Sequence, residues 1–173
     1  MWFFKKMGAY IVMIFYKSHA DQWNHNQINF AIHNGCSIIE IDLIYLRGEI
    51  LLSHSWRPFK WMTYGPAEKY FEFCKNYKGQ EPIYLMIDIK TTNRKIIPRL
   101  QAWFSYYGNG KVNFLIIFDE KNKKRKAISE AIYYGSHGKR SDDWADGIRE
   151  MGHEIITKNL YEAELWYKKL NHF

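Results

Sequence analysis

Ile83-Tyr84-Leu85-Met86-Ile87-Asp88-Ile89-Lys90 leads, after a short polar gap, into Ile96, Ile97, Leu100, Trp103, Phe104 and Tyr107, and then into Val112 to Phe118. The first run is apolar, rich in β-branched residues and of strand length. The next six residues recur at helical spacing and fall on one face, and Gly108 ends that helix. A second apolar strand follows. Strand, helix and strand in succession argue for an α/β fold with a mainly parallel sheet.

Working outward from this unit, the alternation continues. Ala9 to Lys17 reads as a buried strand, and Asn26 to Asn34 as a short helix closed by Gly35 at its C′ position. Ser37 to Leu43 is another strand, and Arg47-Gly48-Glu49 looks like a tight turn into a short one, Ile50 to Ser53. Pro66 suits the first turn of a helix reaching about Tyr77. Downstream, helical patterns lie at about 124–134 and 142–151, then a strand Glu154 to Thr157 and a helix from about Leu160 to Leu170. Between Asp119 and Gly152 no strand pattern is visible.

The chain of 173 residues has no repeat or linker and reads as one domain over 1–173. At roughly 30 residues per βα unit, it has room for about five to six units. A complete eight-stranded barrel takes about 250 residues, so a barrel here is expected to be a shortened TIM-type one.

Composition narrows the function classes. Hydrophobic residues are 47% and charged residues 25%, the balance of a folded chain. No apolar run approaches the ~20 residues of a membrane-spanning helix, and the start of the chain does not read as an export signal. Cys36 and Cys74 form no Cys-x-x-Cys pair, which excludes disulfide scaffolds and zinc ribbons and leads us to expect a reducing, cytoplasmic setting. The net charge of +7 favours an anionic partner without choosing among nucleic acid, phosphorylated molecules and lipid headgroups.

Ionisable residues recur at strand ends: His19, Glu40 and Asp42, His54, Asp88 and Lys90, and Asp119 with Glu120. A carboxylate there is most often a helix cap or a solvated loop residue. Glu40 with Asp42 and Asp88 with Lys90 differ, because each pair interrupts an apolar strand two residues apart and so shares a face. Three carboxylates without cysteine describe a site for a hard divalent cation, Mg²⁺ or Ca²⁺. Two histidines beside it suit the proton transfers of phosphodiester cleavage, with Lys90 as a further positive contact.

In order along the chain, Ser18-His19, Asn34-Gly35-Cys36-Ser37-Ile38-Ile39-Glu40-Ile41-Asp42, Leu52-Ser53-His54 and Met86-Ile87-Asp88-Ile89-Lys90 resemble the glycerophosphodiester phosphodiesterase and phospholipase-C-like superfamily. That superfamily reads histidine, Gly-x-x-x-x-Glu-x-Asp, histidine and acidic-x-Lys on a (β/α)₈ barrel. Aspartate at position 88 makes the chain look closer to sphingomyelinase D-like variants. The resemblance spans about residues 10–91. It implies a PLC-like phosphodiesterase fold with His19 and His54 as the acid–base pair, Glu40, Asp42 and Asp88 as metal ligands, and Lys90 near the phosphate. Ala20-Asp21 departs from the Arg-Gly that usually follows the first histidine.

The leading expectation is a metal-dependent phosphodiesterase acting on a small glycerophosphodiester- or phospholipid-like substrate. The alternative is a reduced barrel that binds a phosphorylated ligand or nucleotide without turnover. Lys121, Lys123, Lys124, Arg125 and Lys126 form a basic run that is either a solvated helix start or a docking patch for an anion. Nucleic acid ranks last among partners, because no nucleic-acid fold signature occurs. A shortened barrel would expose strand edges, so a homodimer is a further expectation.

Overall fold

A computed structural model describes residues 5–7, 10–12, 14–19, 31–33, 35–54, 59–135, 139–140, 143, 146 and 154–159. In chain order the strands are β1 (Lys5–Met7), β2 (Tyr10–Val12), β3 (Ile14–His19), β4 (Ile38–Leu46), β5 (Glu49–Leu52), β6 (Ile83–Ile89), β7 (Val112–Ile116), β8 (Lys139–Arg140) and β9 (Glu154–Asn159). The helices are α1 (Glu68–Asn76), α2 (Ile96–Tyr107) and α3 (Lys123–Tyr134), with a 3₁₀ turn at Lys60–Met62.

The main sheet runs β8-β7-β6-β4-β3-β9, with every neighbour on that path parallel, and β5 pairs antiparallel with β4. β1 and β2 form a separate antiparallel pair. The strand expected over Ala9 to Lys17 is therefore divided between two sheets. The βαβ reading of residues 83–118 holds, since β6 and β7 are parallel neighbours joined through α2.

The shortened TIM-type barrel is not what forms. The sheet is open, ending at β8 on one side and β9 on the other, with no pairing between them among the described residues. Two features work against closure. The segment Ile50 to Ser53, counted with the barrel strands, folds back on β4 as a hairpin instead of adding a parallel strand. The strand in the gap after Asp119 is β8, whose two residues supply only two register pairs with β7. So short a ladder leaves little backbone to carry pairing onward. The helix at 142–151 is described only at Asp143 and Asp146, and the helix from Leu160 lies outside the described residues.

Period-two alternation decides which residues meet the helices. Ile39, Ile41 and Leu43 of β4, Leu85, Ile87 and Ile89 of β6, and Phe114 and Ile116 of β7 form one face. They pack with Phe71 of α1, Leu100 and Phe104 of α2, and Ile128 and Ile132 of α3. Phe71 is fully buried, with its ring 4.9 Å from Trp103 and 5.6 Å from Phe114, centroid to centroid. This core takes one face of the central strands, and the alternate residues, Glu40, Asp42 and Asp88 among them, fall on the other.

Local backbone chemistry sets where the strands begin and turn. Gly35 has φ +81°, its N–H bonds Ile32 O at 2.9 Å, and Cys36 N–H bonds Ala31 O at 2.9 Å. That is the Schellman closure of the preceding helical turn, with glycine where φ must be positive. It delivers the chain into β4. Between β4 and β5, Arg47 (φ +50°) and Gly48 (φ +88°) take the two central positions of the hairpin turn. Two positive φ angles mark a type I′ turn, whose twist matches the strands and which favours Asn-Gly. Arginine is strained there. Arg47→Asn should raise the unfolding free energy by about 0.5–1 kcal/mol in urea titration; a loss of stability would contradict the turn assignment.

Candidate metal centre

The register of β4 on β6 sets the site. Asp42 lies directly opposite Asp88, and Glu40 sits two residues back on the same face, opposite Met86. One oxygen from each of the three carboxylates lies within 4.8 Å of the others. Glu40 is 4% exposed and Asp42 1%, while Asp88 is partly buried. Among the described residues this is the group of metal-binding side chains that comes together so closely.

Those spacings suit a hard cation. Oxygen ligands at about 2.3–2.6 Å from Ca²⁺ can be separated by at most about 5 Å across the ion, and at about 2.1 Å from Mg²⁺ by about 4.2 Å. The triad falls in the range of spacings that a single Ca²⁺ or Mg²⁺ would bridge. The donor set is all oxygen, with no thiolate to favour a softer metal. Cys74 lies on α1 in the core, on the face of the sheet away from the triad, and burial pushes its thiol up to about 12.

His54 follows β5 and stands over the triad. The backbone ties it down, since Ser53 N–H donates to Asp42 O at 3.0 Å. Its Nδ1 meets Asp42 Oδ2 at 2.8 Å, and 58% of the side chain is exposed. A carboxylate on Nδ1 fixes the ring's orientation and leaves Nε2 as the outward nitrogen.

Lys90 closes the other side. Its Nζ donates to Asp88 Oδ2 at 2.5 Å and lies 3.6 Å from Asp42 Oδ1. Burial alone would lower the Lys90 pKa, but the hydrogen bond and charge of Asp88, with the charge of Asp42, outweigh it and hold the ammonium above its ordinary range. Asp42 moves the opposite way from a typical salt-bridged acid. Burial raises its pKa, Asp88 and Glu40 add to the rise, and Lys90 and the His54 hydrogen bond offset only part of it.

His19 is the last residue of β3, next in line after Ser18, which is opposite Ile39 of β4. Its backbone therefore arrives level with Glu40. Its side chain lies outside the described residues, so the six residues expected from sequence comprise five with described side chains and one placed by backbone alone.

The rim also holds two ion pairs that the spacing of motifs does not reveal. Asp119, past the end of β7, bonds Arg125 Nη2 at 2.5 Å, and Glu120 bonds Lys126 Nζ at 2.5 Å. The basic run is thus partly neutralised by the two carboxylates that precede it. Asn122 caps α3 by accepting from Arg125 N–H at 3.2 Å, which sets Arg125 in the first turn. A separate cavity of about 320 Å³ opens at the opposite strand ends, beside Cys36, Ser37 and Ile83, away from this rim.

No family model, curated protein or solved structure matches the chain.

The raised Asp42 pKa has a consequence for stability without metal. The folded state holds this proton more tightly than the unfolded chain does. The group's contribution is therefore present below the unfolded pKa and lost as pH rises through the folded value. Asp42→Asn, which cannot ionise, should melt at or above wild type at pH 7 in chelator, with the advantage fading toward pH 4. A lower Tm than wild type at every pH would contradict this electrostatic picture.

Proposed function

We propose that the chain is a metal-dependent phosphodiesterase in which Glu40, Asp42 and Asp88 hold Mg²⁺ or Ca²⁺ and His54 and His19 move the protons. The observation that supports it best is the buried carboxylate triad with a histidine bonded to one of its members. Three carboxylates this close repel one another, and a divalent ion is the group that relieves the repulsion. The motif order from His19 to Lys90 supports the same assignment through its resemblance to the phospholipase-C-like superfamily.

Each residue then has a role. Bound at the triad, the cation would supply the positive charge that developing negative charge on phosphoryl oxygens requires. His54, held through Nδ1 by Asp42, uses Nε2 to exchange a proton with the attacking or departing oxygen. His19 serves the complementary transfer. Lys90, kept charged by Asp88 and Asp42, adds a direct contact to a phosphoryl oxygen. The substrate class that fits is a small glycerophosphodiester- or phospholipid-like molecule.

The open sheet favours one second reading: a rim that retains a phosphorylated ligand without turning it over. Among the described residues it also leaves edges at β8 and β9 where a second copy of the chain would pair, and a monomeric mass in solution would remove that expectation. Among the described residues no helix is long and apolar enough to cross a membrane.

Turnover decides between the two readings. On bis(p-nitrophenyl) phosphate with saturating metal, chelation should abolish hydrolysis, and His54→Ala should lower kcat at least about a hundredfold with metal affinity unchanged. Full activity in chelator or in His54→Ala would sink the phosphodiesterase. Stoichiometric ligand binding with no product would establish the second reading instead.

A further inference from the structure

We infer that Arg125, steadied by Asp119, is a second anion-binding cation of the same rim, gripping the phosphoryl group opposite Lys90. The inference rests on the phosphodiester reading above and adds a residue outside the motif set that suggested it.

Topology brings the two cations together. β6 and β7 are parallel neighbours with Ile87 opposite Ile116, and Ile117 N–H still bonds Ile87 O at 2.9 Å. Lys90 and Asp119 each lie three residues beyond one of those paired positions, so they leave the sheet at the same level. Asp119 reaches Arg125 at 2.5 Å, in the first turn of α3. Both cations therefore sit at the same end of the sheet, one past β6 and the other tied to the residue past β7.

Arg125 also has donors to spare. A guanidinium carries five N–H groups in a fixed fork, and Asp119 engages it through Nη2. Its Nε is buried and meets no acceptor among the described residues, which is uncommon for a buried donor. A quarter of the side chain remains exposed. A tetrahedral anion seated between Lys90 and Arg125 would separate the like charges and accept from the planar fork, for which arginine is better shaped than lysine.

A divalent ion at the triad would offset the negative charge of Glu40, Asp42 and Asp88, so an anion should bind more tightly with metal bound than without.

The test uses inorganic phosphate as the probe and the full chain. Metal affinity is measured by calorimetry, and phosphate affinity by the rise in Tm with saturating Ca²⁺. Arg125→Gln should weaken phosphate at least tenfold and leave metal affinity within twofold. Arg125→Lys, which keeps the charge near Asp119, should recover part of the loss. Circular dichroism checks that both variants fold. Equal phosphate affinity in wild type and Arg125→Gln would overturn the role of Arg125 while leaving the metal site standing. Metal binding by wild type with no phosphate binding at all would overturn both this role and the phosphodiester reading.

Discussion

Asp42, drawn out of water on β4 beside Asp88 and Glu40, resists ionisation, and the arrangement of β4 and β6 depends on how its charge is met. Asp42 lies opposite Asp88 because the parallel register puts it there, and a slip of one residue would turn it into the helix-side core. The apolar half of each strand, Ile39, Ile41 and Leu43 with Leu85, Ile87 and Ile89, holds that register by packing under α1, α2 and α3. Hydrophobic burial on one face thus sustains electrostatic tension on the other. Lys90 and His54 relieve part of it, and the raised pKa of Asp42 records what is left.

Much of this was legible from residue pattern alone, and the exceptions share a cause. Ile83–Ile89 and Ile96–Tyr107 stand where the apolar run and the helical period put them, because both elements bury a continuous stripe. The glycine closure at Gly35 and the turn at Arg47-Gly48 were equally visible, since positive φ has a strong chemical signature. The direction of the next strand follows from that same turn, because a two-residue connection joins only antiparallel neighbours, so β5 folds back on β4. β8, Lys139-Arg140, has no apolar residue to announce it, so the sheet's far edge could not be foreseen. Barrel closure fails as an expectation because the hairpin adds no parallel strand and the far edge is a two-residue ladder.

The site shows a similar division. Glu40, Asp42, Asp88 and Lys90 stood out as polar interruptions of apolar strands, and the strand register does bring them together. His54 was visible as a histidine after a short strand, and its bond to Asp42 follows from the hairpin that folds it back. Arg125 was hidden inside a run of like charges, where sequence alone gives every member the same weight. Its pairing with Asp119 together with its unpartnered Nε singles it out. Ion pairs across a loop depend on loop conformation rather than on periodicity, and so escape pattern reading.

The central claim is that Glu40, Asp42 and Asp88 form one divalent-cation site. The most direct measurement is a Mn²⁺ titration followed by electron paramagnetic resonance, with Ca²⁺ and Mg²⁺ as competitors. A single saturable site in wild type, displaced by Ca²⁺ or Mg²⁺ and weakened at least tenfold in Asp88→Asn, is the predicted result. Mn²⁺ that stays free at millimolar concentration, or binds equally well to folded Asp88→Asn, would contradict it.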